Sequence, residues 1–232
     1  MEFGYWTFQG RAEFIRWIIA YLALDVKEVN PKDFEEWFQV TKKELGKFNP
    51  FINLPYFRDG NFVTAETDAV ANAICLKAGR EEMLGKGTMD SITVTSIRSI
   101  LRDLKSFGFA LTSRTGEDLA ANLPGEYEKK VVPKLKALST HLVNGGPDRP
   151  FLMYYVTIPD FEMTHINDFF AFVEQHTGVE NPFNQFPSLA KVCKDVKALP
   201  GVSDYLRSSV AERDMLLPSF VKFYKQPEEE QE

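Results

Sequence analysis

Apolar residues crowd the opening of the chain, then fall at every fourth position, then alternate, and these spacings predict different elements. Glu2 to Thr7 is a short aromatic-rich run that predicts a strand. Gln9-Gly10 permits a turn, after which Phe14, Ile18 and Leu22 stand at i, i+4 and i+8, the spacing of a helix with one buried face. Asp25 closes that helix, and Val26 to Val29 predicts a second strand. Phe34 to Phe48 is charged and irregular, a loop and short helix anchored by Trp37. Leu54 to Arg58 and Asn61 to Thr64 flank Asp59-Gly60, a strong hairpin signal, so these strands are expected to be antiparallel neighbours. Glu66 to Lys77 follows as a helix that stops near Gly79.

The order β-α-β-α-β-β-α over residues 1–80 predicts a mixed four-stranded sheet with helices packed on it. Residues 81–88 are polar with two glycines and read as a linker, and residues 89–232 read as an all-helical second domain, giving an α+β chain. Ile97, Ile100, Leu101 and Leu104 make one apolar stripe; Val131, Val132, Leu135, Leu138 and Leu142 make another, with Pro133 marking a kink or a helix start. Thr157-Ile158-Pro159-Asp160 has the form of a capping box, which is a folding signal rather than chemistry. Further helices are expected over 188–198 and 201–209, and Leu216 to Tyr224 is apolar enough to pack back onto the body.

Composition narrows the function. The chain has 232 residues, of which 44% are hydrophobic and 13% aromatic, ample for a packed core. A formal charge of -6 argues against nucleic acid as the main partner, because phosphate binding needs clustered Lys and Arg. Cys75 and Cys193 lie far apart without a CxxC spacing, which suits a reducing compartment, so a cytoplasmic location is expected. No apolar run reaches about twenty residues, so no membrane span is expected. His141, His165 and His176 lack paired-ligand spacing, which leaves no expected metal site. The closing Glu228-Glu229-Glu230-Gln231-Glu232 reads as a solvated tail.

Candidate chemistry lies near the front. A phenol at the end of the first strand, Tyr5, can donate a hydrogen bond to a thiol sulfur. Backbone exposed beside Pro55, and the helix start at Glu66-Thr67-Asp68-Ala69, can hold a peptide attached to that sulfur. Gly4-Tyr5-Trp6, the turn through Gly10, Trp37, Lys42, Asn53-Leu54-Pro55-Tyr56, Asp59-Gly60, Glu66-Thr67 and the capping box occur in an order and at spacings that resemble the cytosolic glutathione transferases, the mu class most closely. Gly10-Arg11-Ala12-Glu13 with Ile15-Arg16 is similar to the sigma class.

The resemblance covers essentially the whole chain and implies a thioredoxin-like first domain and an enzyme that adds the glutathione thiolate to hydrophobic electrophiles. It gives the phenol role to Tyr5, while Tyr56, within the hairpin, is expected to pack. It implies that Leu54, beside Asn53 and Pro55, pairs through its backbone with the cysteinyl peptide, aided by a cis bond before Pro55. Trp6, Trp37 and Lys42 would bind the glycyl end, and Glu66 and Thr67 the γ-glutamyl end. Asp68 adds negative charge beside a site meant for an anion, which predicts weaker binding. An acid from the partner subunit usually helps hold the ammonium in a mu-like register, yet Arg98 stands in that register here, with Asp103 the nearest acid on the same helix.

Phe8, Leu101, Phe107 and Phe109 are candidate walls for the electrophile, and Phe51 matches the aromatic key by which this family forms homodimers. Glutathione enters as co-substrate, with no further cofactor expected. Two alternatives remain open: a glutathione-dependent isomerase of the sigma type, and a transferase fold kept as a ligand-binding or scaffold subunit of a larger assembly.

Overall fold

β1 (Glu2–Gly4) lies inside a four-stranded sheet of order β2-β1-β3-β4 in the computed structural model, which describes residues 1–224. It runs parallel to β2 (Lys27–Val29) and antiparallel to β3 (Tyr56–Asp59), which in turn pairs antiparallel with β4 (Phe62–Ala65). The sheet is therefore mixed, as the crossover through α1 (Glu13–Tyr21) requires for a parallel β1-β2 pair. Alternation along the strands sorts the side chains. Phe3 and Phe57, register partners, are buried in the large core with α1 and α3 (Thr67–Lys77), while Tyr56, Val63 and Ala65 join Trp37, Leu45 and Ile52 in a small second cluster.

Gly4 pairs with Tyr56, whose ring lies so close that a Cβ at residue 4 would fall 1.9 Å from it. Asp59 pairs with Phe62, so the hairpin turn is Gly60-Asn61 rather than Asp59-Gly60, with Gly60 supplying a φ of +60°. Between β2 and β3 the chain forms a π-helical turn (Glu36–Thr41) and the short α2 (Lys42–Leu45), with Trp37 buried and stacked on Tyr56 at 6.2 Å.

No strand follows β4 among the described residues. A 3-10 turn (Glu81–Leu84) carries the fully buried Met83 and leads into α4 (Gly87–Leu111). The remaining helices are α5 (Gly116–Glu126), α6 (Val132–Asn144), α7 (Ile158–Thr177), α8 (Pro187–Lys197) and α9 (Val202–Arg207). α5, which the sequence analysis did not single out within the helical region, is held by Leu119 and Leu123, a fully buried i, i+4 pair, despite Pro124 in its last turn. Pro133 falls in the first turn of α6, where its missing N–H costs nothing. The capping box forms at α7: the Asp160 carboxylate accepts from the Thr157 N–H and hydroxyl, both at 2.7 Å, and from the Leu152 N–H at 2.8 Å.

α7 packs against α1, α4 and α8 and so ties the sheet to the helices. Leu216, Val221 and Phe223 are buried, so the segment after α9 does fold back. Backbone bonds from the Gln9 and Gly10 N–H groups to the Asp214 and Met215 carbonyls, each 2.9 Å, fasten it to the loop between β1 and α1. No described helix is long and apolar enough to cross a membrane. The acidic residues Glu228 to Glu232 lie outside the described residues.

Candidate functional site

Tyr5 leaves β1 with its backbone pinned on both sides: its N–H donates to the Val29 carbonyl at 3.2 Å, and its carbonyl accepts from Asn30 at 2.8 Å. The buried Arg16 guanidinium holds the next turn, donating to the carbonyls of Trp6 at 2.8 Å and Phe8 at 3.1 Å. Arg16 is itself paired with Glu13 at 3.0 Å and Glu28 at 2.9 Å, and Glu28 also accepts two bonds from Arg213. These charges fix the loop that carries the phenol.

The Tyr5 oxygen accepts the Arg11 backbone N–H at 3.0 Å. Gly10 makes this approach possible, since a Cβ there would stand 2.6 Å from the phenolic oxygen and its φ of +48° favours glycine. Burial raises the phenol above its ordinary value, against the pull of the Arg11 amide and the charges of Arg11 and Arg16. Tyr5 is thus a neutral hydroxyl at pH 7 whose hydrogen remains available to donate.

A cleft of about 240 Å³ opens beside this hydroxyl. Trp6, Phe8, Trp37, Asn53, Leu54 and Phe109 line it, as do Phe34, Phe38, Leu216 and Phe220. The Leu54–Pro55 bond is cis, and Leu54 makes no backbone hydrogen bond among the described residues. Lys42 lies outside this lining, its ammonium 5.4 Å from the centre of the Phe38 ring. Tyr56 packs on Trp37, and burial pushes its hydroxyl up to about 12.

A second hollow, about 330 Å³, joins Arg11 and Phe109 to Glu66, Thr67 and Asp68. Glu66 is exposed with φ +71°, a strained conformation for a residue with a Cβ, at the head of α3. Asp68 does not leave stray negative charge here. Arg98 reaches it at 2.9 Å and Arg102 at 2.7 Å, and although burial works the other way these two hold its carboxyl below the ordinary range. Arg98 turns inward: it is only 9% exposed and also binds Asn72 at 2.6 Å and the buried Glu162 at 3.2 Å. Asp103 is paired with Lys134 at 2.6 Å.

Of the four suggested electrophile walls, Phe8 and Phe109 line the cleft and two do not. Leu101 is fully buried because it belongs to the core stripe of α4, and Phe107 faces away, 6.1 Å from Tyr127. Sequence reasoning passed over Phe34, Phe38 and Phe220. Phe34 stacks on Phe38 at 6.4 Å and meets Trp6 at 5.0 Å and Phe220 at 6.2 Å. A half-exposed run of Phe34, Phe38 and Val40 in a charged segment was the available signal. Phe51 is 78% exposed, away from the cleft. No cluster of three or more His, Cys, Asp or Glu residues that could hold a metal occurs among the described residues.

Residues 1–74, which contain the sheet and this loop, match the model of the glutathione S-transferase N-terminal domain. The chain is 28% identical to a glutathione S-transferase of Tyrophagus putrescentiae over 88% of each chain. Over most of its length the chain is similar to glutathione S-transferases. Two further members show the likeness over most of their length: Glutathione S-transferase Mu 1 of Oryctolagus cuniculus, 27% identical over 96% of each chain, and the class-mu 26 kDa isozyme of Schistosoma mansoni, 24% identical over 90% of this chain and 88% of that one. The mixed sheet and the helical remainder of the chain are the thioredoxin-like and all-helical parts anticipated above.

Proposed function

We propose that the protein is an enzyme that adds the thiolate of glutathione to hydrophobic electrophiles, with the Tyr5 hydroxyl donating to the sulfur. One observation carries this reading: the Tyr5 oxygen is already an acceptor for the Arg11 N–H, and its own hydrogen is left for a cleft that also exposes the unpaired backbone of Leu54. A free thiol has a pKa near 8.5, and lowering it by about two units corresponds to roughly 3 kcal/mol of preference for the anion. One phenolic hydrogen bond to an anion in a partly dry cleft is of that order.

The tripeptide would lie along Leu54 through a backbone pair, with Asn53 and Pro55 shaping that edge. Its glycyl end would meet Trp6 and Trp37, and Lys42 if its side chain leaves Phe38. Glu66 would take the γ-glutamyl ammonium, and the Thr67 hydroxyl with the first amides of α3 its carboxylate. Neutralisation of Asp68 by Arg98 and Arg102 supports ordinary rather than weakened binding of that carboxylate. Arg98, engaged inside its own chain, leaves Glu66 to hold the ammonium without help from this register. A homodimer that covers the exposed Phe51 would complete the assembly.

The test is the ultraviolet absorbance of thiolate in the glutathione complex, titrated against pH in the parent and in Tyr5→Phe. The apparent thiol pKa should rise by about one to two units in the variant, the worth of one charge-assisted hydrogen bond. An unchanged curve removes Tyr5 from the chemistry.

A further inference from the structure

The turn after Tyr5 is held from outside the cleft by residues 213–215. Gln9 is gripped twice, its N–H donating to the Asp214 carbonyl and its side-chain amide to the Arg213 carbonyl, both at 2.9 Å, and the Gly10 N–H donates to the Met215 carbonyl at 2.9 Å. The next N–H along, that of Arg11, is the one the Tyr5 oxygen accepts at 3.0 Å, so its place follows from theirs. The Arg213 side chain secures the other end of this loop. Its Nη1 and Nη2 atoms donate to the two oxygens of Glu28 at 2.7 and 3.0 Å, and its Nε to the Val210 carbonyl at 2.8 Å, so all three guanidinium nitrogens are engaged. Glu28 stands on β2 opposite Phe3 of β1 and also accepts from Arg16, which donates in turn to the carbonyls of Trp6 and Phe8. The Arg213 and Glu28 side chains are 12% and 24% exposed, which leaves this forked pair largely shielded from water and salt. Arg213 lines neither the cleft nor the hollow.

We propose that Arg213 is a positioning residue for the Tyr5 hydroxyl, acting through Glu28 on one flank of the loop and through the Gln9-Gly10 turn on the other. The inference rests on the transferase reading, because the sulfur is what reports where the hydroxyl stands. While the Arg11 N–H occupies one lone pair of the phenol oxygen, the O–H is left to point into the cleft. A hydrogen bond weakens steeply once its distance or angle drifts, so a loosened turn deprives the sulfur of part of its donor. An effect that runs through Tyr5 has two signatures: it is smaller than that of deleting the hydroxyl, and it vanishes when the hydroxyl is already gone. Plain electrostatics has a different one, since loss of the Arg213 cation disfavours a thiolate whereas loss of the Glu28 anion favours it. Loosening raises the thiol pKa in both cases.

The experiment titrates the thiolate absorbance of bound glutathione in Arg213→Met, Arg213→Lys and Glu28→Gln, each with Tyr5 present and in the Tyr5→Phe background. Arg213→Met and Glu28→Gln should both raise the apparent thiol pKa by about half a unit, or about threefold less thiolate at a pH below it. Arg213→Lys, which keeps the charge without the fork, should fall between Arg213→Met and the parent, and it carries the comparison if the methionine variant does not fold. None of the three should add to the rise caused by Tyr5→Phe. A rise in Arg213→Met with a fall in Glu28→Gln, or a rise that persists in the Tyr5→Phe background, reports the field of the charges alone and overturns the proposal. A curve unmoved in either variant overturns it as well. If glutathione does not bind, or Tyr5→Phe itself leaves the curve in place, the transferase reading falls and hydrogen exchange at the Arg11 amide of the ligand-free protein decides. Exchange about tenfold faster in Arg213→Met and Glu28→Gln, with the amide of the buried Ile18 unmoved, upholds the positioning. An Arg11 amide unchanged in either variant, or speeded only in step with Ile18, ends it.

Discussion

Arg98 joins α3, α4 and α7 through three side chains, and its removal should be among the most damaging single changes in the chain. In Arg98→Met the carboxylate of Glu162, 1% exposed, keeps only Lys105 at 3.4 Å, while its second oxygen has no partner even in the parent. Stranding one member of a buried ion pair costs about 3–5 kcal/mol. Asn72 loses a donor worth about 1 kcal/mol more, whereas Asp68 keeps Arg102. Against a typical total of about 5–15 kcal/mol, the variant should lose about a quarter or more of its stability. Urea unfolding followed by circular dichroism measures this, at one fixed protein concentration because self-association shifts the midpoint. Adding Glu162→Met removes the stranded charge and should recover at least about 2 kcal/mol. A loss below about 1 kcal/mol at unchanged slope, or a double variant weaker than the single one, would refute the role given to this pair.

His165 should make the fold acid-sensitive. Burial, then the charges of Lys105, Arg16 and Lys197, holds its imidazole down to about 3, against about 6.5 in an unfolded chain. Below pH 6.5 the unfolded state therefore binds a proton that the folded state refuses, and stability is lost as pH falls toward 3, at up to about 1.4 kcal/mol per pH unit. Asp160, whose carboxyl burial pushes up to about 6, acts in the opposite sense between about pH 6 and 4, so parent and His165→Gln are compared at each pH. Equal pH slopes of their urea midpoints would contradict the assignment. Gly4→Ala drives a methyl into the Tyr56 ring and should cost at least about 1–3 kcal/mol, read as a lower thermal midpoint; a neutral outcome would mean that the ring moves aside freely.

The sheet and the positions of its candidate residues were legible because their signals are local. Tyr5 at a strand end, Asp59-Gly60 between alternating runs, and Glu66-Thr67 ahead of a helix each announce themselves within a few residues. What failed was long-range. Asp68 looked like an unwanted charge because its partners, Arg98 and Arg102, stand thirty and thirty-four positions away. Leu101 was offered to the cleft although its own apolar stripe, shared with Ile97 and Leu104, had already given it to the core. The face of α4 beside that stripe carries Arg98, Arg102, Lys105 and Phe109, and only the fold tells which face meets the sheet domain. α5 was not singled out because only two leucines, Leu119 and Leu123, mark its buried face.

The backbone bonds from Gln9 and Gly10 to Asp214 and Met215 bring a stretch of polypeptide made about two hundred residues later to the loop that bears the Tyr5 hydroxyl. A chain still emerging from the ribosome can form its sheet long before residues 213–220 exist, but the wall made by Leu216 and Phe220 is then missing. The cleft thus waits for residues 213–220, and a chain cut short before them would keep the sheet without a finished cleft.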